Sequence, residues 1–428
     1  MNIVNKNNHI HEVRSVYGYF FMKKLRCLVL VILLVLVQCA TNVCTVSAET
    51  QTQQLQENKL YSKSCAMTDG ASGRLLYGKE EDIPLPNAST TKIMTCILAM
   101  ESCAMDEVVT FSEEAAAQPK VHLGAKKGEQ FYLQDLLYGL MLESYNDCAC
   151  AIAEHVGGTV EKFAEKMNER AKELGCVDTH FVTPNGLDCE DEEGAHHTTA
   201  YDLCKIMAYC AWGSPVSAQF LSLTQTKSHS FNSLSGTGYA VSNKNVFLDM
   251  MDCAITGKTG YTAKAGYCYV AAVEEGGRRY CIALLACGWP NHKNYRWSDA
   301  KQLFQYGLDN YHLYKGTEDA FEVSPIEVPC GYRDGTLAEW GGRTKLSLIV
   351  DKKEKNPMFL KADWDEAQIR KEFTQVVTLP VKKGSKIGRI EYCINGEEIY
   401  SFDICAGEDI KKWDFRTFFM ALWKEFLL

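Results

Sequence analysis

Three short polar motifs stand in this chain in one order: Ser89-Thr-Thr-Lys92, Ser144-Tyr-Asn146 and Lys258-Thr-Gly260. If they act as one site, the fold must bring together three distant segments. Together they offer a hydroxyl nucleophile, an amine base, a second hydroxyl to relay a proton and a cation to anchor a carboxylate. Each motif alone is weak; the order, and the local setting of each, carry the weight.

Pro86-Asn87 before the first motif reads as a helix entry, with Asn87 expected to cap exposed N–H groups. Ile93, Cys96, Ile97 and Met100 then repeat at helical spacing and mark one buried stripe. Ser89 and Lys92, three apart, fall on that stripe, which sets hydroxyl beside amine near a helix N-terminus. An apolar setting lowers a lysine's pKa, so Lys92 is expected to act as a base for Ser89. A solvated lysine after a capping serine is the ordinary reading of Ser-x-x-Lys, and the apolar stripe weighs against it here.

Leu136, Leu137, Leu140 and Met141 form a helical pattern that stops at Glu143. A second helix is expected from near Asp147, capped by Asn146 or Asp147, and running through Ala151 and Ile152 to Gly157-Gly158. The second motif therefore sits in a tight connection. Ser144 would pass a proton toward a leaving amine, and the Asn146 amide would hold a substrate peptide group. Downstream, Gly266–Val273 and Tyr280–Cys287 flank a Gly-Gly turn and read as a hairpin in a buried sheet. Lys258, Thr259 and Gly260 then lie on a strand beside it. Lys258 and the Thr259 hydroxyl would bind a carboxylate, Gly260 would let a ligand approach the backbone, and the Tyr261 N–H would join that of Ser89 as an oxyanion hole.

On these residues the chain resembles the low-molecular-weight penicillin-binding proteins, specifically the serine-type D-alanyl-D-alanine carboxypeptidases of the peptidase S11 kind. Pro86-Asn-Ala-Ser-Thr-Thr-Lys92, Thr183-Pro-Asn-Gly-Leu-Asp188 and His197-Thr-Thr-Ala-Tyr-Asp202 match the same family's habits. The resemblance implies an α+β fold: a penicillin-binding/β-lactamase-like catalytic domain, with a helical cluster and a five-stranded antiparallel sheet. It implies that Ser89 attacks the penultimate D-Ala carbonyl of a peptidoglycan stem peptide ending in D-Ala-D-Ala, that β-lactams acylate the same serine, and that neither cofactor nor metal is needed. By the same resemblance Arg296, in Asn-Tyr-Arg-Trp, reaches the substrate's terminal carboxylate. Tyr145 stands where members often have Gly and is expected to narrow the cleft; Tyr201 stands where some relatives carry Arg. Two alternatives are a serine β-lactamase and a catalytically weak wall-binding protein that keeps the fold. The first would normally lack the C-terminal region, and no Glu-x-x-Leu-Asn between the second and third motifs supplies a deacylation base.

The 428 residues allow more than one domain. Lys23-Lys-Leu-Arg26, the apolar run Leu28–Val37 and Val46-Ser-Ala48 read as a secretory leader over residues 1–48, with translation starting at Met22. The catalytic domain is expected over 49–315 and a small all-β domain over 316–408. In the latter, the stretches Phe321–Val328, Thr344–Val350 and Phe373–Leu379 alternate, and Asn395-Gly396 signals a two-residue hairpin. Residues 409–428 are expected to form an amphipathic helix with Phe415, Phe418, Phe419, Leu422, Trp423 and Phe426 on one side. Its uncharged run Thr417–Trp423 is too short to span a bilayer, so the helix is expected to lie in the outer face of the cytoplasmic membrane, with the protein exported. A net charge of −9 argues against a nucleic-acid surface.

Of 19 cysteines, Cys27, Cys39 and Cys44 fall in the leader, and most others sit in apolar patterns where a free thiol behaves as a small hydrophobe. So many thiols on an exported protein hint at an anaerobic source. Cys148 and Cys150, two apart on a helix, face apart and make a poor metal pair. His196-His197, behind the acidic run Glu190–Glu193, reads as a solvated loop.

Overall fold

The computed structural model describes residues 55, 59–315, 322–329, 331–333, 343–351, 358–373 and 377–426. The leader, the Met22 start and the cut after Ala48 fall outside them. β1 (Ser64–Asp69) and β2 (Leu75–Lys79) form a hairpin, while β3 (Val108–Thr110) with β4 (Gln130–Tyr132), and β5 (Ser228–Asn232) with β6 (Gly238–Ser242), make two small ribbons. β7 (Ala254–Thr262), β8 (Gly266–Glu275) and β9 (Arg278–Leu285) complete one antiparallel five-stranded sheet in the order β2-β1-β9-β8-β7.

The near-continuous apolar sequences of β8 and β9 follow from burial on both faces. Cys268, Val270, Ala272, Cys281, Ala283 and Leu285 point into a helical cluster, whereas Tyr269, Ala271, Val273, Tyr280, Ile282 and Leu284 pack with Trp297, Ala300, Leu303 and Phe304 of the helix Tyr295–Asn310. The helix Lys92–Ser102 lies at the centre of the cluster. Every residue from Lys92 to Met100 is buried, so the expected stripe is in fact a whole circumference, as suits a helix surrounded by protein. Around it stand helices Asn146–Gly157, Val160–Glu173, Ala200–Ala208 and Ser217–Gln225. Thr159 and Thr199 cap two of them by accepting from the Lys162 and Asp202 N–H groups.

The C-terminal part is built from β10 (Tyr311–Lys315), β11 (Ile326–Pro329), β12 (Gly331–Tyr332), β13 (Arg343–Leu346), β14 (Leu348–Val350), β15 (Met358–Ala362), β16 (Ala367–Phe373), β17 (Lys386–Ile394), β18 (Glu397–Ala406) and β19 (Lys411–Lys412). Four of these make an antiparallel sheet in the order β14-β18-β17-β16. The Asn395-Gly396 turn joins β17 to β18, with both φ angles positive at 52° and 87°, as a tight hairpin requires.

Two expected strands are drawn differently. Thr344–Val350 is not one strand: it breaks at Ser347, whose N–H donates to Glu408 Oε1 at 2.9 Å and whose carbonyl accepts from Gly407 N–H, and its halves join different sheets. The run Phe373–Leu379 does not carry the strand either; β16 ends where that run begins. Every residue of β16 is exposed, so no apolar alternation marked it. Val377 and Leu379 instead help cover a small core with Val328, Leu346, Val381 and Ile410. Residues 374–376 lie outside the described set.

Arg74, just before β2, reaches across to Asp365 at 2.6 Å, both side chains buried, and the Leu360 N–H of β15 donates to Asp69 Oδ2 at 3.0 Å. Lys411 and Lys412 belong to β19, paired with Gly331–Tyr332, rather than to the terminal helix, which runs Phe415–Phe426. In that helix Phe418 and Leu422 are half-buried and Ala421 is buried, so Phe418 and Leu422 leave the exposed face assigned to them. Phe415, Phe419, Trp423 and Phe426 stay exposed, by 77, 51, 70 and 77 %. Among the described residues no helix is long and apolar enough to cross a membrane.

Candidate active site

The first motif forms a tight turn before its helix. Ala88–Thr91 is a 3-10 turn, and the α-helix begins at Lys92. Asn87 does not cap backbone N–H groups as expected. Its Nδ2 donates instead to the Thr90 and Thr91 hydroxyls at 3.1 and 2.9 Å, and these donate back to Asn87 O and Ala88 O. The turn is thus tied by side chains, and it holds Ala88 at a φ of 50°, a left-handed conformation that costs a non-glycine residue energy.

Lys92 is fully buried, and its Nζ has three neighbours: Ser89 Oγ at 2.8 Å, Asn146 Oδ1 at 2.9 Å and the main-chain oxygen of Asn185 at 2.7 Å. Burial, and then the charge of Lys258, hold its pKa well below the usual lysine range. Two of the three neighbours can only accept. Asn185 offers a carbonyl, and the Asn146 amide is oriented by its Nδ2 donating to Pro119 O at 3.1 Å. A neutral Lys92 has two N–H groups and one lone pair. With both N–H groups spent on those acceptors, the lone pair is left for the Ser89 hydroxyl.

Asn146, expected to hold a substrate peptide, is engaged by protein at both ends of its amide. Ser144 is at a φ of 68° where a helical turn ends, and its Oγ accepts from Lys258 Nζ at 2.9 Å. Lys258 donates also to Thr259 O at 2.9 Å, and its pKa is lowered to about 7 by burial, then by the charge of Arg296. Arg296, in the first turn of its helix, packs its guanidinium 4.8 and 4.6 Å from the ring centroids of Tyr267 and Trp297. Its Nε is buried with no hydrogen-bond partner among the described residues.

A cleft of about 310 Å³ exposes Ser89, Ser144, Asn146, Thr259, Gly260, Tyr261 and Arg296, with Lys120, Val121, Leu187, Thr262 and Tyr267 completing its walls. Lys92 and Lys258 lie buried beneath these groups, each bonded to a serine of the cleft. Hollows of about 590 and 610 Å³ elsewhere are larger but hold neither of the Ser–Lys pairs; chemistry, not size, singles out the smaller one.

Gly260, on the cleft wall, also serves a second purpose. A Cβ there would lie 2.9 Å from both Asn87 O and Ser89 N, so the bare backbone lets β7 pack on the Ser89 turn. Tyr145 does not narrow the cleft: its ring lies over Gly139, where an added Cβ would be 3.1 Å away, and it is absent from the cleft wall. Tyr201 lies elsewhere, donating to Gly73 O at 3.2 Å. His196 is not solvated. It is buried, its Nε2 lies 2.8 Å from Thr91 Oγ1, and its Nδ1 accepts from the Val182 N–H at 3.0 Å; burial first, then neighbouring histidines, pushes its pKa down to about 3. His197 is half-buried and paired with His180.

Sequence reasoning missed Asn185, whose contribution is a main-chain carbonyl. The signal was Gly186, at φ +79°, where a Cβ would fall 1.9 Å from Ala88 O. The loop Thr183–Asp188 therefore rides directly on the Ser89 turn.

Residues 49–286 match the family model of the peptidase S11 D-alanyl-D-alanine carboxypeptidases, and 335–412 match the C-terminal domain of penicillin-binding protein 5. The chain is 28 % identical over 376 residues to the D-alanyl-D-alanine carboxypeptidase DacF of Bacillus subtilis, covering 85 % of this chain and 90 % of that one. A solved D-alanyl-D-alanine carboxypeptidase from Mycobacterium tuberculosis is 31 % identical, with a TM-score of 0.53 over 58 % of this chain and 91 % of its own. Penicillin binding protein 5 from Haemophilus influenzae, at 24 % identity, shares the fold over 84 % of this chain and all of its own, with a TM-score of 0.66. With a family match over more than half its length, the chain belongs to the peptidase S11 family and is a serine-type D-alanyl-D-alanine carboxypeptidase.

Proposed function

We propose that Ser89 is the nucleophile of this carboxypeptidase and Lys92 its base. The observation that carries the reading is the arrangement of Lys92 Nζ, with two acceptor-only neighbours and Ser89 Oγ at 2.8 Å. Ser89 Oγ attacks the carbonyl of the penultimate D-Ala while its proton passes to Lys92. The N–H groups of Ser89 and Tyr261 hold the oxyanion, a type of donor whose loss costs about 100-fold or more in rate. Ser144, hydrogen-bonded to Lys258, passes a proton to the amine of the departing D-Ala. Lys258, Thr259 and Arg296 bind the terminal carboxylate; the cationic character of this wall and the unpaired Arg296 Nε support that assignment. Water then hydrolyses the ester. Asn146 holds Lys92 in place.

In this reading the enzyme is exported through a leader at 1–48, works through a catalytic domain that ends before β10 rather than at 315, is spaced by an all-β domain that takes in β10 and β19, and rests on the outer face of the cytoplasmic membrane through its terminal helix. The exposed aromatic side of that helix supports the last point. Purified protein given a peptide ending in D-Ala-D-Ala should release free D-Ala, and a fluorescent penicillin should label the wild type but not Ser89→Ala. Labelling that persists in the variant would remove Ser89 from the reaction.

A further inference from the structure

The helix Lys92–Ser102 ends at Cys103, whose backbone N–H still donates to Ala99 O at 3.1 Å. The helix Asn146–Gly157 carries His155 in its last turn. Glu107 stands between them, on the loop that follows Cys103. Its Oε2 lies 2.9 Å from His155 Nε2, and its Oε1 accepts from the Ala104 N–H at 2.7 Å. The Cys103 thiol, a carboxylate oxygen of Glu107 and a ring nitrogen of His155 all lie within 4.8 Å of one another, the one such trio of donors among the described residues.

We propose that Cys103, Glu107 and His155 bind a single thiophilic divalent cation of the Zn2+ type. Thiolate, imidazole and carboxylate are the donors that a tetrahedral zinc site uses, at metal–ligand distances of about 2.0–2.3 Å. Donors around such an ion stand about 3.3–3.8 Å apart, so the trio needs only small side-chain movements to close on it. The Glu107 carboxylate is already oriented: Oε1 is held by the Ala104 N–H, the kind of outer hydrogen bond that fixes a metal ligand, and the ion would take the place of the proton between Oε2 and His155 Nε2. Side-chain exposures of 24 % for His155 and 42 % for Glu107 leave an entry path and room for water as the fourth ligand. Binding releases the thiol proton to solvent.

The site is separate from the reacting groups. Cys103 and His155 lie at the far ends of the two helices that begin with Lys92 and Asn146, and 11 helical residues span about 16 Å. The ion would tie those far ends together, so its effects should appear in binding and stability.

The test uses the full chain, freed of metal under reducing conditions. Calorimetric titration with Zn2+ should show one ion per chain, and Co2+ should give the sulfur-to-metal charge-transfer band together with the visible bands of four-coordinate cobalt. Removing partners that merely orient a ligand weakens metal binding about 10–100-fold. Cys103→Ser and His155→Ala should therefore weaken Zn2+ by at least about tenfold, and Cys103→Ser should abolish the charge-transfer band. The exposed Cys189 controls for stray thiol binding, and Cys189→Ser should bind like wild type. Each variant's unfolding temperature without metal checks that it folds, and Zn2+ should raise that temperature in the wild type only where Cys103 and His155 are intact. Unchanged Zn2+ affinity in both Cys103→Ser and His155→Ala, a missing charge-transfer band in the wild type, or loss of binding in Cys189→Ser would overturn the proposal.

Discussion

At the scale of single residues the proposed reaction turns on two buried lysines that must hold opposite charge states. Lys92 can accept the Ser89 proton only when neutral, and burial beside Lys258 favours that form. Lys258 can attract a carboxylate only when charged, and its pKa in the free protein is lowered to about 7. As pH rises through the depressed Lys92 pKa the base becomes available and the rate climbs. As pH rises past about 7, Lys258 discharges and substrate binding weakens. The profile of kcat/KM for D-Ala release should therefore be bell-shaped, its two limbs belonging to the coupled pair rather than to either lysine alone. A carboxylate bound at Lys258 favours its charged form, so the descending limb of kcat should lie at higher pH than that of kcat/KM; coincident limbs would contradict this. Lys92→Ala should cut penicillin acylation by about 100-fold or more, the usual worth of a general base, with circular dichroism unchanged. Near-normal acylation would take Lys92 out of the proton path.

At the scale of elements the site is a junction of the Ser89 turn, strand β7 and the Thr183–Asp188 loop, packed with no room for side chains at two points. Gly260→Ala would place a Cβ 2.9 Å from Asn87 O and Ser89 N, both main-chain atoms that cannot swing aside. The turn must move, and displacements of about 1 Å in a positioned site can cost about 100-fold. Stopped-flow acylation by a fluorescent penicillin should fall at least about tenfold in this variant. Gly186→Ala should be worse, since its Cβ meets Ala88 O at 1.9 Å and its φ is +79°, and it should lower the unfolding temperature as well. An Ala at Gly260 that leaves the acylation rate unchanged would show the turn to be more pliant than its hydrogen bonds imply.

At the scale of the whole molecule two features lie far from the cleft. The buried Arg74–Asp365 pair ties the β1–β2 hairpin to the segment after β15. Removing one partner of a buried pair leaves the other charge uncompensated, so Asp365→Ala should destabilise by about 3–5 kcal/mol in denaturant unfolding. The terminal helix makes a different demand on the experimenter. Because Lys411 and Lys412 pair as a strand with Gly331 and Tyr332, a clean truncation must begin after Asp414. That truncation should release the protein from anionic vesicles without slowing D-Ala release from a soluble peptide, since each exposed aromatic contributes about 1.5–3 kcal/mol when buried in lipid. Replacing Phe419, Trp423 and Phe426 with Ser should do the same. Unfolding or loss of activity would instead mean that the helix braces the protein itself.

The sequence by itself determined what local periodicity and side-chain chemistry can encode: the order of the three motifs, the buried helix after Ser89, the β8–β9 hairpin, the Asn395-Gly396 turn and the aromatic side of the last helix. Each depends on residues within a few positions of one another, where helical or strand spacing decides which side chains share a face. Tertiary structure decided the rest. The Asn185 carbonyl that helps aim Lys92 comes from 93 residues away, and a main-chain oxygen leaves no trace in residue identity. His196 reads as a loop histidine because its neighbours in sequence are polar, yet Thr91, 105 positions off, makes it part of the interior. Gly260 reads in sequence only as room for a ligand, and the packing of β7 on the Ser89 turn shows that a side chain there would also strike the protein's own backbone.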